Sequence, residues 1–229
     1  MLYVVATPIG NLEDITLRAL KTLKEVDAIA AEDTRHSGIL LTKYEIKKPL
    51  LSFHSFSGHA KIEKILALLQ EGKNVALISD AGTPGISDPG FVLIRAAISA
   101  GIQVVPIPGP SAFLSALCVS GLPTDKFLYL GFLPKKKSRK TLLESLREEE
   151  RTVVFYESPY RILRTLQELQ ACLGDRQVAV CRELTKMFEE IFRGTLSEAI
   201  SHGKNKTPKG EFVVVLGGKN FAIDKRLQI

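Results

Sequence analysis

One pattern recurs about five times in the first half of the sequence. A short apolar run gives way to a polar or glycine- and proline-rich loop, and apolar residues at helical spacing follow. The runs are residues 2–6, Ala28–Ala31, Leu50-Leu51, Val75–Ile78 and Val104-Val105. Asp14 can cap a first helix through Ile15, Leu17, Leu20 and Leu23, and Asp33 or Thr34 can cap a second. Ile62, Ile65, Leu66 and Leu69 mark a third, stopped by Gly72. Phe91, Ile94 and Ala97 mark a fourth that runs to Gly101, and another starts near Ala112. Strands alternating with helices in this way predict a mostly parallel sheet with helices on both faces. The loops after the strands then gather along one edge, the edge where open α/β sheets place their ligands.

The loop after the fourth run is the longest of these: Ser79-Asp80-Ala81-Gly82-Thr83-Pro84-Gly85-Ile86-Ser87-Asp88-Pro89-Gly90. Thr7-Pro8-Ile9-Gly10-Asn11 and Pro106-Ile107-Pro108-Gly109-Pro110-Ser111 are of similar character. Glycines let a backbone come close to a ligand, whose polar groups then meet main-chain N–H and C=O groups. Asp80 is placed to meet a polar or cationic part of such a ligand, while Ser87-Asp88-Pro89 is expected to begin the next helix. Any one of these loops alone is equally a turn that a parallel sheet requires; three at one edge favour a binding site.

Beyond Gly121-Leu122-Pro123-Thr124-Asp125 the pattern changes. Strands are expected at residues 127–130, 152–156, 178–181, 188–195 and Phe212–Leu216. Helices are expected from about Lys140, from Ser158 as cap with Pro159 at the first helical position, and from Thr195 or Ser197. Strands outnumber helices here, which predicts a mixed sheet with antiparallel pairs. The organisation is therefore an α/β chain of two lobes, residues 1–120 and 121–219, with residues 220–229 as a flexible tail.

Charged clusters follow several strands: Glu32-Asp33-Thr34-Arg35-His36, Tyr156-Glu157-Ser158-Pro159-Tyr160-Arg161 and Arg182-Glu183-Leu184-Thr185-Lys186. Paired arginines and carboxylates at strand ends could orient a phosphodiester and a hydroxyl, though each cluster alone also suits surface ion pairs and helix caps. The net charge of +6 permits a polyanionic partner. The excess is concentrated in Lys135-Lys136-Lys137 with Arg139 and Lys140, and in Lys204, Lys206 and Lys209.

Several classes are excluded. No apolar run approaches the roughly 18 residues of a membrane span, and the start has no basic n-region of a signal peptide. Three cysteines, Cys118, Cys172 and Cys181, are odd in number and lack ligand spacing, which fits a reducing cytoplasm. His36, His54, His59 and His202 are scattered, so no metal is expected. The G-x-G-x-x-G, phosphate-loop and G-x-S-x-G signatures are missing, which argues against usual dinucleotide binding, phosphate-loop hydrolysis and serine hydrolysis.

The three loops named above, with Leu12-Glu13-Asp14-Ile15-Thr16-Leu17-Arg18-Ala19-Leu20, Ala31-Glu32-Asp33-Thr34-Arg35, Tyr156-Glu157-Ser158-Pro159 and Gly210-Glu211-Phe212-Val213-Val214-Val215, resemble the ribosomal RNA small-subunit methyltransferase I family of the tetrapyrrole-methylase superfamily. The resemblance covers about residues 1–217. It implies a two-lobed tetrapyrrole-methylase-like fold, a homodimer, and S-adenosylmethionine in the cleft between lobes. It also implies methyl transfer to the ribose 2′-hydroxyl of a cytidine in the decoding region of 16S rRNA, with the 30S subunit as the expected partner and the cytoplasm as the compartment. Carried over, the cofactor contacts are Ile9; Asp80, Ala81 and Gly82; Thr83 or Ile86; Ser111 and Ala112; Tyr156; Leu184; and Gly210 or Glu211. Many members carry a further small helical domain after the last strand. Tyr160 stands where the family pattern Tyr-Glu-x-Pro-His-Arg has histidine, so a histidine base at that point is not available.

The candidate bases for removing the hydroxyl proton are then Glu32, Glu157 and Glu183. Arg35, Arg161, Arg182 and Lys186 are the candidates for positioning the substrate. Two other functions fit the same residues less well: a methylase of a tetrapyrrole-like small molecule, against which the basic clusters stand, and a non-catalytic RNA-binding protein, against which the intact Asp80 loop stands.

Overall fold

A computed structural model of the chain describes residues 1–53, 59–204 and 209–221. His54, Lys206 and residues 222–229 of the expected tail lie outside the described residues. The chain forms two compact units, Met1–Ser111 and Ala112–Ile229.

The first unit contains five strands, β1 (Leu2–Val5), β2 (Ala28–Ala31), β3 (Leu50–Ser52), β4 (Val75–Ile78) and β5 (Val104–Ile107). They form one parallel sheet in the order β3-β2-β4-β1-β5. Helices α1 (Leu17–Glu25), α2 (Thr34–Lys43), α3 (His59–Gln70) and α4 (Gly90–Ser99) connect them. The two-residue period of a strand divides β4 between two cores. Ala76 and Ile78 pack with Val5, Leu23, Ile29 and Leu41, while Val75 and Leu77 pack with Leu2, Ile65 and Leu93. Burial on both faces explains why these strands are uninterrupted apolar runs.

Two helix starts differ from expectation. Leu12–Asp14 forms a 3-10 turn, and the cap of α1 is Thr16, whose hydroxyl accepts from the Ala19 N–H at 3.1 Å. Ser87-Asp88-Pro89 does not open α4. Asp88 Oδ1 instead accepts from the N–H groups of Gly85 and Gly90, each at 2.7 Å, and this closes the loop before the helix starts at Gly90. Along α4, Leu93 and Ala97 are buried, whereas Phe91 is exposed. Asp33 caps α2, its Oδ1 accepting from the Arg35 N–H at 2.8 Å.

The second unit begins with α5 (Ala112–Ser120), followed by β6 (Phe127–Phe132), α6 (Arg139–Ser145), β7 (Thr152–Glu157), α7 (Ile162–Leu173), β8 (Gln177–Arg182), β9 (Glu190–Thr195), α8 (Leu196–Gly203) and β10 (Phe212–Leu216). The sheet order is β6-β7-β10-β8-β9. Only the β6–β7 pair is parallel, so the sheet is mixed. Val214 and Leu216 of the central strand pack with Phe155, Leu169 and Leu196 on the face covered by α6, α7 and α8. Helix α5 packs against β7, β8 and β10, burying Ala116 and Leu117, so it belongs to this unit and the chain divides at Ser111/Ala112 rather than at 120/121.

Ser158 and Pro159 form a turn ahead of α7 and do not start it. The Ser158 carbonyl accepts from the N–H groups of Arg161 and Ile162, and helical residues begin at Ile162. Thr195 caps α8 in a reciprocal capping box with Glu198. Strands β7 and β8 both run antiparallel to β10, and β6 runs parallel to β7. The ends of β6, β7 and β8 therefore share one edge with the start of β10. No helix among the described residues is long and apolar enough to cross a membrane.

Candidate functional site

In the first unit, the three loops that the sequence singled out follow the adjacent strands β4, β1 and β5, and hydrogen bonds join them. Thr7 and Gly82 exchange two main-chain bonds, N–H to O at 2.9 and 3.0 Å. The Thr7 hydroxyl donates to the Ser79 carbonyl at 3.2 Å, and the Thr83 hydroxyl donates to the Pro110 carbonyl at 3.2 Å. Gly82 takes a positive φ of 80°, which a side chain adopts only at a cost. Gly109 lies so near β1 that a Cβ there would meet Ala6 Cβ at 3.0 Å. Ile9, Asp80, Ala81, Gly82, Thr83 and Ser111 are thus on one connected set of strand-end loops. Ile9 is buried, while Ile86 is more exposed on the same loop as Asp80. Ala112 is the first residue of the second unit.

The loop after β2 joins this set. The Asp33 N–H donates to Asp80 Oδ1 at 2.9 Å. Next to Asp33, the Glu32 carboxyl titrates above the ordinary carboxylate range, raised first by burial and then by the nearby charges of Asp80 and Asp88. Burial also raises Asp88, although the Gly85 and Gly90 N–H groups oppose the shift. Three carboxyl groups thus repel one another at the carboxyl ends of β2 and β4. Asp88 was not among the expected site residues; its place just before Pro89-Gly90 made it look like a helix start. Arg35 is spent on a neighbour: its guanidinium donates to both oxygens of Asp33, at 3.2 and 2.8 Å. That hydrogen bonding holds the Asp33 carboxyl far below the usual range.

The second unit gathers the other expected residues at the shared strand edge. Glu157, whose side chain is 0% exposed, accepts from the Ser158 N–H at 2.8 Å, from the Thr165 hydroxyl at 2.8 Å and from Arg161 at 2.6 Å. Arg139 lies 3.8 Å from the same carboxylate and also bonds Thr165 and Glu168, each at 2.7 Å. Arg139 is therefore an internal anchor, unlike the exposed Lys135, Lys136 and Lys137 of the same cluster. Glu157 is enclosed and holds Arg161.

Glu183 accepts from Lys186 Nζ at 3.0 Å and from the Glu211 N–H at 2.9 Å. Burial opposes its ionisation, but these two donors hold the carboxyl below its usual value. Lys186 reaches Glu211 as well, at 2.6 Å. Glu183 and Thr185 both have positive φ, 50° and 66°, in a tight turn around the buried Leu184. Gly210 sits against Glu183, where a Cβ would come within 2.5 Å of its carboxyl group. Arg182 donates to the Lys209 carbonyl at 2.8 Å. Tyr156 is half-buried, with its hydroxyl pushed up by burial and by the adjacent Tyr129. An apolar crevice lined by Leu166, Phe192 and Ala199 meets this edge at Arg182, Glu190 and Phe212.

The residues present fit a ligand with positive charge and neutral polar groups. Asp80, Glu32 and Asp88 supply negative charge, and the joined loops offer closely approachable main-chain groups. Among the described residues no group of three or more His, Cys, Asp or Glu is arranged to hold a metal ion.

Comparison with known proteins places these observations. The sequence profile of the Tetrapyrrole (Corrin/Porphyrin) Methylases matches residues 1–200. The chain is 57% identical over 218 residues to the ribosomal RNA small subunit methyltransferase I of Thermotoga maritima, covering 95% of this chain and 98% of that one. It is 54% identical to the protein of the same name from a Synechocystis species, covering 95% of this chain and 79% of that protein. Among solved structures, it resembles a uroporphyrin-III-C-methyltransferase from Thermus thermophilus, with a TM-score of 0.66 at 22% identity, covering 95% of this chain and 94% of that one. A cobalt precorrin-4 methyltransferase gives a TM-score of 0.69 at 20% identity, covering 94% of each chain. At these identities the likeness is one of fold.

Proposed function

From the premise that this chain belongs to the ribosomal RNA small subunit methyltransferase I family of the tetrapyrrole (corrin/porphyrin) methylases, we propose that it methylates small-subunit ribosomal RNA using S-adenosylmethionine. The acceptor in this reading is the 2′-hydroxyl of a cytidine ribose in the decoding region of 16S rRNA, presented within the 30S subunit to a homodimer. The observation that carries the reading is the 57% identity to the Thermotoga maritima relative along 95% of the chain. The joined loops after β1, β4 and β5 support it, because they provide a site suited to a nucleoside cation.

The cofactor, when bound, supplies a methyl group already activated as a sulfonium. Main-chain groups around Ile9, Ala81, Gly82, Thr83 and Ser111 hold its neutral polar parts. Asp80 attracts its positive charge. Holding the ribose hydroxyl in line supplies about 7–11 kcal/mol of the barrier reduction. Glu32 is the base in this reading. Its raised titration makes its carboxylate a stronger proton acceptor than an ordinary one, and it is not enclosed by donors as Glu157 is. Proton removal by such a group is worth about 10²–10⁴-fold. Glu157 and Glu183 position Arg161 and Lys186, and these cations, with Arg182, meet phosphate oxygens.

The test is incubation of the protein and methyl-labelled cofactor with undermodified 30S subunits, with free rRNA and with a corrinoid precursor, followed by mapping of labelled nucleotides. Label on a cytidine 2′-oxygen of 16S rRNA is the expected result. Label only on the corrinoid overturns the proposal, and so does RNA binding without any transfer.

A further inference from the structure

The strand edge formed by β6 and β7 carries features that the cofactor site does not use. Phe132 ends β6 beside Tyr156 of β7, their ring centroids 5.3 Å apart, and Phe132 remains 58% exposed. Tyr160, just past β7, is 94% exposed. Between β6 and α6, Lys135, Lys136 and Lys137 are all exposed, and none pairs with a carboxylate among the described residues. Unpaired cations beside bare aromatic rings are the two components with which proteins hold single-stranded nucleic acid.

The lysine loop is firmly mounted. Arg161 donates to the Leu133 carbonyl at 3.2 Å, and Arg139 donates to the Pro134 carbonyl at 3.1 Å. Both arginines also face Glu157, at 2.6 and 3.8 Å. The buried carboxylate thus ties the start of the lysine loop to the turn that carries Tyr160. Fixing the loop lowers the ordering cost of binding along it.

Resting on the function proposed above, we propose that this edge is the RNA-strand grip of the enzyme. Lys135, Lys136 and Lys137 neutralise successive phosphates, and the exposed ring of Tyr160 stacks on a base. Three lysine contacts to a single strand contribute about 2 to the slope of log K against log salt, at about 0.7 per phosphate. Stacking on one ring is worth about 5- to 150-fold in affinity.

The experiment measures binding of the full chain to a labelled single-stranded 16S fragment and to 30S subunits across a salt series, with cofactor binding by calorimetry as a control for folding. In the Lys135→Ala/Lys136→Ala/Lys137→Ala variant the salt slope falls by about 2; the triple arginine variant restores it. Tyr160→Ala weakens binding about 5- to 150-fold at unchanged slope, and Tyr160→Phe does not. Cofactor affinity stays as in the wild type throughout. If the wild type methylates rRNA while the lysine variant keeps its affinity and slope, the grip lies elsewhere and only this inference falls. Preference of the wild type for vesicles containing phosphatidylserine over RNA also overturns it. A wild type that neither binds nor methylates rRNA removes the proposed function and this inference together.

Discussion

The main-chain N–H of Asp33 is bonded to Asp80 Oδ1 at 2.9 Å, across 47 residues of sequence. One oxygen of Asp80 therefore fixes the loop after β2 to the loop after β4, and in the proposed function the charge of the group also attracts the cofactor. These two roles are separable. Asp80→Asn retains an acceptor for Asp33 but no charge, whereas Asp80→Ala loses both. The expected result is that Asp80→Asn weakens S-adenosylmethionine by about 10-fold, a charge–charge contribution of about 1–2 kcal/mol at a partly exposed site. It weakens the uncharged thioether product S-adenosylhomocysteine less. Calorimetric titration of both ligands reads the difference; equal losses would show that Asp80 acts only by holding the loop.

Glu32 gives a pH test whose sign follows from its raised titration. As a base it must be ionised, so kcat falls as pH drops through the raised folded value, at a pH above the ordinary 4.5. Glu32→Gln removes that limb and lowers kcat about 10²–10⁴-fold. Stability runs the other way. The stabilising contribution of this group is fully present below its unfolded pKa and is lost as pH rises through the folded one. Glu32→Gln is therefore at least as stable as the wild type at neutral pH, and the gain vanishes in acid. A pH series of single-turnover rates and urea midpoints checks both signs.

The parallel sheet of the first unit was legible because its strands are buried on both faces, which leaves unbroken apolar runs such as Val75–Ile78. The edge where the loops gather was legible for the same reason, since each run ends in a loop. Side-chain bonds that span the sequence were not legible. Asp88 looked like the first residue of a helix because its closure onto Gly85 and Gly90 has no periodic signal. Arg139 looked like one of five basic residues in a row of six, yet its partners Thr165 and Glu168 lie 26 and 29 residues away. The change of pattern at Gly121-Leu122-Pro123 places helix α5 in the first lobe; what decides its place is burial of Ala116 and Leu117 on the other sheet.

The cysteines provide a probe of folding that does not depend on function. Cys181 lies in the centre of the second unit, fully buried, and burial pushes its thiol up to about 11. Cys118 is exposed on α5. Since the thiolate is the reactive form, iodoacetamide at pH 8.5 labels Cys118 in the native protein and spares Cys181. Labelling of Cys181 should rise with guanidinium in step with unfolding of the second unit. Mass spectrometry of peptides after short pulses reads this, and native labelling of Cys181 would contradict the burial of β8.

Glu157 separates a structural carboxylate from a catalytic one. Its side chain is 0% exposed and faces Arg161 at 2.6 Å, with Thr165 and the Ser158 N–H as further donors. Removing one partner of a buried pair leaves the other charge uncompensated, at about 3–5 kcal/mol. Glu157→Ala is expected to lose that much in urea denaturation. In a double-mutant cycle with Arg161→Met, the two losses are not additive, with a coupling of about 0.5–3 kcal/mol, because they remove the same contact. Glu157→Gln keeps the volume but leaves Arg161 and Arg139 facing a neutral amide, so stability and RNA affinity fall together and the pH–rate limb remains. Glu32→Gln shows the opposite combination, with the limb lost and stability kept. A Glu157→Gln variant that loses its pH limb at full stability would make Glu157 the base in place of Glu32.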